Sequence, residues 1–233
     1  MLLDIDLGEL PDEPEALYAC AHLANVACGG HAGDDASMRR AVALCIANGT
    51  LVGAHPSYPD RAGFGRQAMQ MAPADLRVSV AEQCARLRDV AREAGVALGY
   101  VKAHGALYHA ARADADVARA LLGGAIDALG SAVTIVGPPA GELLGAATRA
   151  GVRYAREGFA DRATRPDGTL VPRGEPGALV TDPAAAARRA IELAAAGGFD
   201  AICCHGDTPG AVTIARAVRE ALDALGGGER RPR

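Results

Sequence analysis

The sequence predicts an α/β protein, a single parallel β/α barrel of about seven strands occupying residues 1–233. Three observations predict it. Short runs rich in β-branched and apolar residues alternate from end to end with longer Ala- and Arg-rich amphipathic stretches, the signature of βα units on a parallel sheet. Polar residues recur at the C-terminal end of almost every short run rather than at one point, which favours a closed barrel over an open sheet. Half of the residues are hydrophobic, yet only 3% are aromatic and tryptophan is absent. The core is therefore built from Ala, Val, Leu and Ile, which suits Ala-rich helices around Val- and Ile-bearing strands.

The strand candidates, in order, are 2–7 (LLDIDL), 23–28 (LANVAC), 51–55 (LVGAH), 98–104 (LGYVKAH), 132–137 (AVTIVG), 152–158 (VRYAREG) and 201–206 (AICCHG). A helix is expected after each, at 13–22, 35–48, 74–94, 114–129, 139–150, 183–196 and 210–225. Gly49, Gly95, Gly130, Gly151, Gly197 and Gly226 lie at or just past the helix ends, where a left-handed residue closes the last turn. Asp34, Asp114 and Asp182 stand at helix starts, where a carboxylate caps free N–H groups. Two loops after strands are long, 56–73 and 159–181. Loops of this length are functional or disordered, and these carry Phe64, Phe159 and several arginines. The Gly-rich, basic end of the chain (227–233) reads as a frayed tail.

Charge and composition exclude several classes. A net charge of −4 and a pI near 5.9 do not provide the basic face that nucleic acid requires. No run reaches membrane-spanning length and no signal-peptide layout opens the chain, so a cytosolic location is expected. Six cysteines without a CxxC pair read as buried free thiols. GxxxxGK[ST], a strand-following GxGxxG and HExxH are all missing, so no nucleotide loop is recognisable.

The strand ends carry the chemistry. The first supplies Asp4, Asp6 and Glu9; the second Asn25, His31 and Asp34; the third His55 and Asp60. The fourth supplies Lys102 and His104, the sixth Glu157, Asp161 and Arg162, and the seventh His205 and Asp207. Four of the six histidines thus fall at one end of four different strands, while His22 and His109 read as surface residues. Such a convergence supplies acid–base groups, metal ligands or both. Lys and Arg together number 24, and Lys102 is the only lysine. It shares a strand face with His104, and a compact ammonium at the mouth is expected to bind a substrate carboxylate or phosphate. Asp6, His31, His55, Lys102, His104, Asp161, His205 and Asp207 are the catalytic candidates. Asn25, Asp34, Arg61, Arg66, Arg162 and Arg173 are the candidates for binding substrate.

The blocks DIDLGE (4–9), ANVACGGHAGD (24–34), GAHPSYPDRAGFGR (53–66), VKAHGALY (101–108), FADR (159–162), DGTLVPR (167–173), GAL (177–179) and CHGDTPGAV (204–212) resemble the LamB/YcsF family of 5-oxoprolinase A subunits, and span nearly the whole chain in family order. The chain departs from the family at Asp4, usually Asn; at Gly30, usually aromatic; at Ala103, usually Pro; and at His109, usually Asn. An insertion common before the last strand is missing. The resemblance implies a seven-stranded barrel related to metal-dependent sugar deacetylases. It also implies ATP-dependent opening of the cyclic amide 5-oxo-L-proline to L-glutamate, performed with 5-oxoprolinase subunits B and C, ATP being bound mainly with those partners. Two other readings stay open: an independent metal-dependent amide or sugar deacetylase using Asp6, His31 and another histidine as ligands of a divalent ion, and a non-catalytic lactam-binding subunit. Whether a metal is bound is not decided by the residue pattern.

Overall fold

The computed structural model describes residues 1–165 and 167–226. Strands β1 (Leu2–Leu7), β2 (Leu23–Ala27), β3 (Leu51–His55), β4 (Tyr100–Lys102), β5 (Thr134–Gly137), β6 (Arg153–Phe159) and β7 (Ala201–His205) follow one another in chain order around a closed barrel. Every pairing is parallel, and β1 closes the ring against β7 with Asp6 beside His205. On its other side β1 aligns Asp6 with Asn25.

Period-two alternation divides each strand between two environments. Leu3, Ile5 and Leu7 of β1 join the apolar layer beneath the helices, whereas Asp4 and Asp6 point into the barrel. Leu23, Val136 and Ala155, with Leu51 and Tyr100, form a separate apolar plug inside the barrel. Their registers, Leu23 beside Leu51 and Tyr100 beside Thr134, put this plug toward the N-terminal end. The C-terminal half of the interior is left to polar side chains.

The helices are α1 (Ala16–Cys20), α2 (Asp35–Asn48), α3 (Pro73–Glu93), α4 (Gly105–Ala113), α5 (Ala115–Leu129), α6 (Glu142–Ala150), α7 (Pro183–Ala196) and α8 (Ala211–Gly226). The three expected caps form: Asp34 accepts from the Ser37 N–H, Asp114 from Asp116 and Val117, and Asp182 from Ala185. Gly49 and Gly151 close α2 and α6 in the left-handed conformation.

Some expectations need correction. The segment 105–113 is helical; Asp114 ends α4 as well as starting α5, so the two helices read in sequence as one helix preceded by loop. The helix expected over 13–22 shrinks to α1: at its start the Glu13 side chain is engaged by the Gly8 N–H and the Tyr18 hydroxyl, and at its end Ala21 is extended and the His22 N–H donates to the Leu3 carbonyl. Strand β4 is three residues long rather than seven. The basic tail lies outside the described residues. No described helix is long and apolar enough to cross a membrane.

Candidate active site

The barrel interior first presents an ion nest. Lys102 is 2% exposed. Its Nζ donates to Asp6 Oδ1 at 2.8 Å, Asp4 Oδ2 at 3.1 Å and Cys203 Sγ at 3.0 Å, and lies 2.6 Å from Glu157 Oε1. Asn25 Nδ2 also donates to Asp4 and Asp6, at 2.7 and 3.0 Å. Burial alone would lower the lysine pKa, but Asp4 and Asp6 outweigh it and hold the value well above normal. Burial pushes the Glu157 carboxyl well above its usual range despite Lys102. The ammonium has three protons and its neighbours use them all. Lys102 borders a cavity shared with His104 and His205, but the expectation that it reaches out to a substrate anion gives way to a role as counter-ion of the interior.

Above the nest, Gly8 adopts φ +71° and turns the chain so that Glu9 folds back over the barrel mouth. Its Oε1 lies 2.9 Å from His31 Nε2, 3.1 Å from His104 Nδ1 and 3.7 Å from His55 Nε2. His55 Nε2 is also 3.3 Å from Asp6 Oδ2 and 3.0 Å from His104 Nδ1. The His31 and His104 rings stack at 3.7 Å, and His55 stands edge-on to both. Burial lowers the His31 pKa to about 4 and lowers that of His104. Glu9 is drawn the other way: burial raises its pKa, but the adjoining His104 and His31 imidazoles outweigh this and hold it far below the ordinary range. His31, His55 and His104 with Glu9 hold their ligand atoms close enough for one metal ion, as do Asp6, Cys203 and His205.

His205 is separate from this cluster. Asp161 accepts from its Nδ1 at 2.9 Å and its backbone N–H at 2.9 Å, and from the Thr208 hydroxyl at 2.6 Å. Burial would raise the Asp161 pKa, but the His205 interactions prevail and lower it. An ionised carboxylate only accepts, so Nδ1 carries a proton and in the neutral ring Nε2 presents a lone pair, 3.8 Å from Asp6 Oδ2. Phe159 stacks against the ring.

A cavity of about 400 Å³ opens onto Asp6, His104 and His205 on its floor, with Arg66, Arg162 and Arg173 around it. Asp207 bonds both Arg66 and Arg173, so it positions two guanidiniums rather than standing among proton-transfer groups. Arg162 is 6% exposed; its Nη2 donates to the Val171 carbonyl, while its Nε has no hydrogen-bond partner. A second cavity of about 480 Å³, on the other side of the histidines, is bordered by Glu9, His31, Asp34 and Arg61.

The predicted residues therefore divide. Asp6, Lys102, His104, His205, Arg66, Arg162 and Arg173 border the cavity of about 400 Å³, and His55, Asn25 and Asp161 are buried behind it. Asp34 caps α2 and Arg61 donates to the Gly33 carbonyl, both away from that cavity. His109, expected to be a plain surface residue, borders it. Glu9 and Glu157 are visible in sequence as polar strand ends, but nothing in their spacing marks one as the hub of three imidazoles or the other as a partner of Lys102.

The match to known proteins is extensive. Residues 3–231 fit the sequence profile described as the LamB/YcsF family. The chain belongs to that family. A relative from Streptomyces griseus, named as the A subunit of 5-oxoprolinase, is 46% identical, with 97% of each chain covered. A protein of the same name from Pyrococcus furiosus is 42% identical, with 96% of this chain and 94% of the relative covered. The crystal structure of a lactam utilization protein from Thermus thermophilus superposes with a TM-score of 0.88 at 36% identity, covering 97% of both chains. A family 4 carbohydrate esterase from Streptomyces lividans, 13% identical with a TM-score of 0.51, shares the fold. Of the positions expected to depart from the family pattern, Asp4 adds a carboxylate to the Lys102 nest, and the space beside Gly30 is filled by Gln83 and Ser57.

Proposed function

We propose that this chain is the ring-opening subunit of an ATP-dependent 5-oxoprolinase, converting 5-oxo-L-proline to L-glutamate together with subunits B and C. The observation that carries the reading is one cavity with an Asp161-oriented His205 on its floor and three arginines around it. A five-membered lactam is a poor electrophile, and phosphorylation of its amide oxygen by ATP makes the ring carbon attackable. The activated substrate then has two anionic groups, the ring carboxylate and the phosphate, which suit Arg66, Arg162 and Arg173. Water adds to the ring carbon while His205 Nε2 accepts its proton, as a base oriented by Asp161. The ring C–N bond breaks, the nitrogen takes up a proton, and an acyl phosphate remains. A second water releases inorganic phosphate and leaves glutamate. The missing nucleotide loop agrees with ATP being handled mainly by the partner subunits.

The test is glutamate formation from 5-oxo-L-proline by the isolated chain and by the reconstituted complex. The isolated chain is expected to be inactive, and adding B, C and ATP to restore turnover that His205→Ala abolishes. Lactam or acetamide hydrolysis by the chain alone without ATP would replace this reading with the metal-dependent deacetylase, which the Glu9–histidine cluster favours. Unchanged turnover in His205→Ala would leave only a lactam-binding role.

A further inference from the structure

We propose that Glu9, His55 and His104 form a three-ligand site for one divalent transition-metal ion, with His31 positioning the glutamate. The argument starts from where the ring protons must be. His55 Nδ1 lies 2.8 Å from the Lys102 carbonyl, and His104 Nε2 lies 3.0 Å from the Phe64 carbonyl. A carbonyl only accepts, so in neutral rings these outer nitrogens carry the protons. The inner nitrogens, His55 Nε2 and His104 Nδ1, are then bare lone pairs 3.0 Å apart. Both also face Glu9 Oε1, another acceptor, at 3.7 and 3.1 Å. Three acceptors directed at one another inside a protein repel unless something positive lies between them.

The dimensions fit an ion. Ligand atoms held at about 2.0–2.1 Å around a tetrahedral ion lie about 3.3 Å apart. The three edges here are 3.0, 3.1 and 3.7 Å. The His55 and His104 rings meet at 88°, which allows both in-plane lone pairs to reach a common point. His31 stacks parallel to His104 at an interplanar angle of 5°, so the two cannot direct in-plane lone pairs at one ion. His31 instead donates from Nε2 to Glu9 at 2.9 Å and fixes the carboxylate.

The surroundings have the outer-shell pattern of a metal centre, in which each ligating histidine donates its other N–H to a fixed acceptor. Phe64 is the only described non-glycine residue with positive φ, at 54°, and its carbonyl is the His104 acceptor. Gly65 follows, where a Cβ would press on His31 at 2.8 Å and His104 at 3.0 Å. Two imidazoles and one carboxylate favour zinc, manganese, iron, cobalt or nickel over magnesium or calcium. Three protein ligands leave a position open, as in hydrolytic metal sites, and His104 itself borders the cavity of about 400 Å³. An ion bound there supplies Lewis acidity at the cavity floor.

This inference does not depend on the substrate, so it is tested with metal alone. The full chain is stripped with chelator and titrated calorimetrically with Zn²⁺, Mn²⁺ and Co²⁺, and the visible spectrum of the Co²⁺ form is recorded. One equivalent is expected to bind, raise the melting temperature and give a nitrogen-and-oxygen-ligated Co²⁺ spectrum. Glu9→Gln, His55→Asn and His104→Asn are expected to weaken binding ~10²-fold or more, whereas His31→Gln, which keeps a donor to Glu9, weakens it ~10-fold or less. Absence of binding by the wild-type chain would overturn the proposal and leave a proton, on a doubly protonated His104, as the occupant. Unchanged affinity in folded His55 and His104 variants would overturn it equally.

Discussion

Without the Lys102 ammonium, Asp4 and Asp6 would face each other in a space closed to water, bridged only by Asn25. Removing one partner of a buried ion cluster costs about 3–5 kcal/mol, because the remaining charges stay buried. Lys102→Met is therefore expected to lower unfolding stability by that amount in denaturant titration. Lys102→Arg should not restore it, since a wide planar fork does not fit a nest shaped around a point charge. Stability within about 1 kcal/mol of wild type would contradict the nest. Asp161 gives the second residue-scale expectation. An asparagine there can offer its amide hydrogen to His205 Nδ1 and hold the ring with its proton on Nε2, where it cannot act as a base. Turnover by the reconstituted complex should fall on the order of 10⁴-fold, as in hydrolases whose orienting aspartate is replaced this way. The pH dependence has a definite sign. The folded-state pKa of Asp161 lies below the ordinary carboxylate value of 3.8, so its ionised form stabilises the fold above about pH 4. That contribution disappears as pH falls through the lower folded-state value. Melting curves should show wild type losing stability more steeply than Asp161→Asn below pH 4, and parallel acid limbs would rule this out.

At the scale of elements, the site is assembled by loops that the barrel merely aims. In the loop after β3, Gln83 of α3 exchanges two hydrogen bonds with the Ser57 backbone, at 3.0 and 2.8 Å. Farther along, Gly65 accepts from the Ala106 N–H at the start of α4. Asp207, after β7, joins Arg66 of this loop to Arg173 of the loop after β6. These ties explain what can be read from sequence. The strands and most helices announce themselves through local signals: alternation, Asp caps and glycine ends. That His31, His55, His104 and His205 fall at one end of the barrel follows from topology, which is legible; the stacking of His31 on His104 is not, because His31 lies past β2 beyond Gly29 at φ 101°. Glu9 is not legible as a hub, because a positive φ at Gly8 breaks the parity that carries a strand-end argument. The Lys102 nest is half legible. Its inward direction follows from spacing, but its partners come from β1, β6 and β7, and only the closed register of the barrel brings them together. Helix α4 is hidden because it opens on Gly105 without a side-chain cap, directly after the strand segment, while Asp114 at its end carries the recognisable start signal of α5.

For the whole molecule, closure means that the sheet has no edge from which to unzip. Each strand is paired on both sides, and opening the barrel at any seam exposes the plug and the ion nest to water together. The six cysteines report on the half of the ring that contains the closing seam: Cys20 on α1, Cys28 after β2, Cys45 on α2, Cys84 on α3, and Cys203 and Cys204 on β7. All are buried, Cys20 least so at 9% exposure. Burial pushes the Cys28 and Cys45 thiols up to about 12 and holds Cys84, Cys203 and Cys204 well above their usual value. Only a thiolate in contact with solvent alkylates at a useful rate, so in the native state five thiols should resist iodoacetamide at neutral pH while Cys20 reacts slowly. Across a denaturant series, those five should become reactive at one common midpoint, since no subset can be exposed without opening the barrel. Intact-mass spectra of pulse-labelled samples should then contain chains carrying at most one label and chains carrying six, with little between. Separate midpoints for the thiols of β7 and those of α2 and α3 would show the barrel parting in stages, and would refute the view that its closure makes it a single cooperative unit.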